Sequence, residues 1–154
     1  MSLWDWASAA YAADGVAEAC VELQDAAGQN VPLLLWAAWA AVTGRTLDGD
    51  TLEAGCDTAR VWQETAIAPL RAVRRALKPR APDLDDAARE TVRNQVKAVE
   101  LAAERHLLAA LEALAPSPSG SPRAPLETMV AAARQWSPMT PRAGLVRLAE
   151  RLPA

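Results

Sequence analysis

The chain has 154 residues, of which 51% are hydrophobic, so its length and composition allow one domain with a sizeable buried core. Its formal net charge of −3 argues against nucleic acid as a partner. Alanine is the best helix former, and here it dominates the apolar residues while β-branched residues are sparse, so we predict an all-α fold.

Three helices are predicted in the N-terminal third. Ser2 caps the first, Leu3 to about Ala13, and the second runs from Val16 to about Ala27. The third, Val31 to Thr43, follows Asn30 as a cap and is apolar on all sides, which is typical of a buried central helix. Its apolar run is too short to cross a bilayer, so we expect no membrane partner.

The middle of the chain is predicted to hold three further helices. Asp50 or Thr51 begins a fourth helix that runs to about Ala66, and Pro69 then forces a kink or a break. A basic helix, residues 69–78, follows. Asp83 is predicted to cap the longest helix, residues 84–114.

The predicted organisation has a bundle, a linker and a tail. Residues 1–115 form a single compact helical bundle of about five to seven helices, and residues 116–125 form a Pro/Ser-rich linker. Residues 126–154 carry two short amphipathic helices as a helical C-terminal tail. The sequence leaves open whether this tail docks on the bundle or is mobile.

Two groups of polar residues could bind a ligand or a partner. Gln24 and Asp25 end the second helix, where local hydrogen bonds within the turn are the favoured interpretation. Arg71, Arg74 and Arg75 share one face of the basic helix and could hold an anion or an acidic surface. Pairing with acidic residues of this chain is the favoured interpretation there as well.

A third group lies on the long helix. Lys97, Glu100 and Glu104 share one face at three- and four-residue spacing, and paired carboxylates can act as acid and base or as metal ligands. The Glu-x-x-His pattern of helical di-metal sites is missing, so we predict no metal site and no cofactor. Cys20 lies on an apolar face and is interpreted as a buried structural thiol, and no residue is assigned as catalytic.

Several stretches resemble one family. They are Leu3-Trp4-Asp5-Trp6, Tyr11, residues 15–20, Leu23-Gln24-Asp25, Gly28, residues 31–36 with Trp39, residues 69–78, and residues 96–101 with Glu104. Over residues 3 to about 114 the chain resembles an uncharacterised proteobacterial family, domain of unknown function 2390. The resemblance implies no activity. It implies that recurring polar positions converge in one network: Gln24, Asp25, Arg71, Arg74, Lys97, Glu100 and Glu104.

Three hypotheses of function follow. The first is a non-catalytic interaction or regulatory protein that binds an unidentified protein partner through the basic and polar helix face. The second is a small-molecule or anion sensor with a pocket of Trp and Arg between helices. The third, held to be the weakest, is an enzyme that uses the carboxylate and lysine cluster. No signal peptide is recognisable, so a bacterial cytoplasm with reduced thiols is the expected location.

Overall fold

The computed structural model describes all 154 residues and contains helices but no strand, which confirms the all-α prediction. The helices are α1 (Leu3–Ala12), α2 (Val16–Asp25), α3 (Val31–Val42), α4 (Gly49–Trp62), α5 (Ala68–Ala76), α6 (Asp86–Leu114), α7 (Leu126–Trp136) and α8 (Arg142–Ala149). A π-helical turn, Gln63–Ile67, joins α4 to α5.

Helix α3 forms the centre of the bundle, as its apolar sequence predicts. Ten of its residues are buried, among them Trp36 and Trp39. The Asn30 side chain accepts a hydrogen bond from the Leu33 N–H at 3.0 Å, and Pro32 lies in the first turn, where its missing N–H costs nothing. Helices α1, α6 and α7 all pack on α3, so this helix fixes their relative positions.

Two helices begin at a different residue from the one predicted. Asp48, not Asp50 or Thr51, caps α4, and its carboxylate accepts from the Thr51 N–H at 2.8 Å. Asp85, not Asp83, caps α6 and accepts from the Ala88 N–H at 2.9 Å. Each segment offers several aspartates that could cap, and sequence spacing does not distinguish among them.

Pro69 neither breaks nor ends the helical path between α4 and α5. The Ala68 N–H bonds to the Gln63 carbonyl five residues back, which is the bond of a π turn. The wider turn places Pro69 in the first turn of α5, where no backbone N–H is needed. Of the two predicted alternatives, a kink or a break, the structure has no break, and the distortion takes the form of a π-bulge.

Arg89 ties the start of α6 to the end of α5. Its side chain is buried, and Nη1 donates to the Leu77 and Lys78 carbonyls at 2.6 and 3.0 Å. These carbonyls lie at the C-terminus of α5, where a positive charge also interacts favourably with the helix dipole. The bonds fix the α5–α6 hairpin whose facing sides carry the polar residues described below.

The two helices of the C-terminal tail pack against the bundle in the structure. Helix α7 packs on α3 and α4, and α8 packs on α2. Residues 116–125 run across the surface, where the Ser119 and Gly120 N–H groups both donate to the Gly44 carbonyl at 3.0 Å. Met129 of α7 and Leu145 of α8 are completely buried, so the tail contributes side chains to the core.

Candidate functional site

Two arginines of α5 and two glutamates of α6 face each other and form what we call the α5–α6 polar cluster: Arg71, Arg74, Glu100 and Glu104. Arg74 Nε lies 2.7 Å from Glu100 Oε2, and Arg71 Nε lies 3.4 Å from Glu100 Oε1. Arg71 Nη2 lies 3.8 Å from Glu104 Oε1. Glu100 is buried, and its hydrogen bond raises the pKa of Arg74 above the ordinary arginine value. These arginines are therefore paired within the chain.

Helix α2 extends this cluster toward solvent. Arg75 Nη2 lies 3.0 Å from Asp25 Oδ1, which also accepts from Gln24 Nε2 at 3.3 Å. Asp25 lies close enough to Arg74 to contribute to its raised pKa. Lys97 is exposed and forms no ion pair, so it lies outside the cluster although its spacing places it near the same face.

A cavity of about 220 Å³ opens beside this cluster, between α1, α3 and α6. The residues on each helix recur at three- or four-residue spacing, so each helix presents one face to the space. They are Trp4, Ala7, Ser8 and Tyr11 of α1, Pro32 and Leu35 of α3, and Leu101, Glu104 and Leu108 of α6. We call this space the α1 cavity.

The α1 cavity has a buried apolar floor and an exposed rim. Ala7, Leu35 and Leu108 form the floor and are buried. Tyr11 and Leu101 stand at the rim, where 43% and 54% of their surfaces are exposed. The floor offers water no hydrogen-bonding partner. The apolar surfaces of the two large side chains at the rim are exposed to solvent.

Glu104 is the only charged residue that lines the α1 cavity. Its carboxylate accepts no hydrogen bond, because Glu100 takes the close contacts of both arginines and the nearest nitrogen to Glu104 is Arg71 Nη2 at 3.8 Å. Burial raises the pKa of Glu104 above its usual value, the neighbouring Glu100 raises it further, and Arg71 and Arg74 lower it. The Glu104 side chain is 28% exposed, so its carboxylate meets the open space of the α1 cavity rather than a hydrogen-bond donor of this chain.

Two neutral polar groups lie behind Glu104. Tyr11 is 43% exposed, and desolvation, the Cys20 thiol and Glu104 raise the pKa of its hydroxyl group, whereas Arg71 lowers it. Burial raises the pKa of the Cys20 thiol to about 11. Both groups are therefore uncharged near neutral pH, and Cys20 has the buried, inert character that the sequence predicts for it.

Substituting Glu104 by glutamine is expected to maintain or raise stability at neutral pH. A carboxyl whose pKa is raised in the folded state favours folding when protonated, and this contribution is lost as the pH rises through the raised pKa. Glutamine removes that loss. Urea unfolding is measured for wild type and Glu104→Gln from acidic to neutral pH. The free energy of unfolding of the variant should rise relative to that of wild type as the pH increases. Glu53→Gln, an exposed change on α4, should show no such trend. If the stability of Glu104→Gln relative to wild type falls with rising pH, the pKa of Glu104 is not raised in the folded protein.

The α1 cavity is not among the sites predicted from the sequence, although the sequence contains a signal for it. Trp4 and Tyr11 lie seven residues apart on one face of α1, with only the small residues Ala7 and Ser8 between them. Two large side chains separated by small ones predict a gap wherever another helix crosses. Arginine, which the sensor hypothesis placed in the lining, is absent from it; Arg105 instead lies over the Trp4 ring, 4.7 Å from its centre.

No group of three or more His, Cys, Asp or Glu side chains is placed so that it could hold a metal ion. None of the helices combines the length and the apolar character needed to span a bilayer.

Comparison with known proteins identifies one family. Its model, described as a protein of unknown function (DUF2390), matches residues 2–111. This range contains α1 to α5 and most of α6, and hence both the polar cluster and the α1 cavity. No curated protein and no solved structure matches the chain. Because the matched range covers well over half of its residues, the chain belongs to the DUF2390 family.

Proposed function

We propose that this protein binds a small molecule, with a mainly apolar body and one polar group, in the α1 cavity. The observation that carries the proposal is a buried apolar floor beside a carboxylate, Glu104, that has no hydrogen-bond donor. Ligand sites combine apolar walls with a few placed polar groups, and an ionisable residue with a shifted pKa is a frequent marker of such sites.

The size of the α1 cavity limits the ligand. Its volume of about 220 Å³ exceeds the roughly 150 Å³ of an apolar cavity that holds benzene, and falls below the roughly 300 Å³ at which drug-sized pockets begin. A ligand with one ring, or a branched chain of similar bulk, and a short polar extension fits this space. Binding without a catalytic step corresponds to a sensor or a carrier.

A protein partner that docks on the basic helix is the second candidate. Arg75 is 57% exposed at its side chain, and Lys78 is also exposed, so this part of α5 still presents positive charge to an acidic surface. Arg71 and Arg74 contribute less, since their guanidinium groups are paired with Glu100. We rank this candidate lower because the α1 cavity is a formed site. On the basic face, by contrast, the exposed Arg75 is already paired with Asp25.

A reducing compartment suits the two cysteines. Cys20 and Cys56 are both free and buried, and burial raises the pKa of each thiol to about 11. We therefore also propose a cytoplasmic location in a bacterial cell, which the arginine- and alanine-rich composition favours.

Filling the α1 cavity is expected to abolish binding and leave the fold intact. Toluene and phenethyl alcohol should shift backbone NMR signals of α1, α3 and α6 in the wild-type protein, centred on Ala7 and Leu35. Ala7→Val adds methyl groups to the cavity floor, so the shifts should disappear while stability falls by about 1–3 kcal/mol.

The matched control is Ala9→Val, which makes the same change on the exposed side of α1 and should leave the shifts unchanged. If Ala7→Val folds poorly, Leu101→Trp narrows the entrance from the exposed rim and serves the same purpose. The proposal would be overturned if the shifts persist in both Ala7→Val and Leu101→Trp, or if the wild-type protein responds to neither toluene nor phenethyl alcohol.

A further inference from the structure

The lining of the α1 cavity also indicates the charge of its ligand, an inference that rests on the proposed function. We infer that the ligand is a small primary amine whose ammonium group pairs with Glu104 and whose apolar body covers the floor. Three properties of the site favour such a ligand: the supply of hydrogen-bond donors, the aromatic walls, and the positions of the nearby arginines.

Hydrogen-bond donors are in short supply at Glu104. Glu100 and Glu104 lie one helical turn apart and face the same two guanidinium groups, but only Glu100 receives contacts within hydrogen-bond distance, at 2.7 and 3.4 Å. Ser8 and Tyr11 carry the only hydroxyl groups in the lining, and neither donates a hydrogen bond to Glu104. A ligand with several N–H donors supplies what the chain itself does not, and charge-assisted bonds of this kind are the strong ones.

The aromatic walls favour a positive charge as well. Trp4 and Tyr11 flank the α1 cavity, and the electron-rich faces of such rings attract cations within about 6 Å. Trp4 already accepts one cation in this way, the guanidinium of Arg105 at 4.7 Å from the ring centre. One face of the Trp4 ring thus already holds a cation, and the remaining aromatic surface of the lining favours a positive over a negative group.

The nearby arginines do not reverse this preference. Arg71 reaches Glu104 only at 3.8 Å and is held by Glu100, and Arg105 lies over Trp4 rather than in the lining. A carboxylate ligand would meet Glu104 directly and would have to draw Arg105 away from Trp4 to find a partner. An alcohol donates one hydrogen bond to Glu104 but carries no charge of its own to pair with the carboxylate.

Three probes that share one ring and differ in the polar group test the inference: phenethylamine, phenethyl alcohol and phenylacetate. Their affinities for the full-length protein are measured by NMR titration at neutral pH. Phenethylamine should bind at least about tenfold more tightly than phenethyl alcohol, because its ammonium group adds an ion pair and further N–H donors, and phenylacetate should bind most weakly. In Glu104→Gln the amine and the alcohol should bind equally well.

Glu53→Gln, which removes one exposed carboxylate from α4, controls for the change in net charge and should keep the preference for the amine. Equal affinity of amine and alcohol for the wild-type protein would overturn the inference and leave the proposed function standing. So would a preference for the amine that survives in Glu104→Gln. If none of the three probes binds, the proposed function fails together with the inference.

Discussion

Replacing Glu100 by alanine is expected to lower the free energy of unfolding by about 3 kcal/mol. The change leaves the guanidinium groups of Arg71 and Arg74 without the carboxylate that both of them contact, and their side chains are only 11% and 24% exposed. Breaking a buried ion pair by removing one partner costs about 3–5 kcal/mol, and the partial exposure of Arg74 places the estimate at the lower end. Urea unfolding followed by circular dichroism measures the loss.

Lys97→Ala is the matched control, because Lys97 lies one turn away on the same helix, is exposed and forms no ion pair. This change should alter stability by no more than about 0.5 kcal/mol. Similar losses for the two variants would show that the polar cluster contributes nothing specific. Glu100→Ala also releases Arg71 to approach Glu104, so we expect the variant to lose much of its preference for phenethylamine over phenethyl alcohol.

Two glycines of α4 are expected to respond to alanine in opposite directions. A Cβ atom at Gly55 would lie 2.5 Å from the Trp36 ring, and Trp36 is completely buried in α3 and has no room to withdraw. Gly55→Ala should therefore lower stability by about 2–3 kcal/mol, the cost of overpacking a close helix contact. Thermal and urea unfolding measure the change.

Gly49→Ala provides the comparison within the same helix. A Cβ atom at Gly49 meets nothing within 4 Å, so alanine there only reduces the freedom of the unfolded chain and favours the helix. Stability should rise by a few tenths to about 1 kcal/mol. A stabilising Gly55→Ala would mean that α3 and α4 do not approach each other as closely as the structure shows.

The two glutamates of the polar cluster illustrate a division between stability and the binding that we propose. Glu100 lies between two guanidinium groups and holds α5 against α6. Glu104, one turn later, lacks those bonds and turns a destabilised carboxylate toward the α1 cavity. The guanidinium groups bond to Glu100 and are therefore not available to Glu104. A residue that lowers stability in this way is often one that serves binding.

The sequence by itself determined the helices and their principal faces. Local signals suffice for a cap such as Ser2 or Asn30, because a short polar side chain bonds to a backbone N–H within its own turn. The apolar run of α3 likewise has one solution, burial at the centre. The pairing of Arg71 and Arg74 with acidic residues was also predictable, since opposite charges recur on two faces of neighbouring helices.

Only the tertiary structure decided how deeply each residue is buried and which helices pack across it. Helical periodicity predicts that Lys97, Glu100 and Glu104 share a side of α6, yet these residues lie in solvent, in an ion-paired cluster and beside a cavity, respectively. The difference arises because α5 and α1 cross α6 at particular points along its length, and those points depend on packing contacts between residues far apart in the chain. For the same reason, the gap left by Ala7 becomes a cavity only where α3 and α6 enclose it.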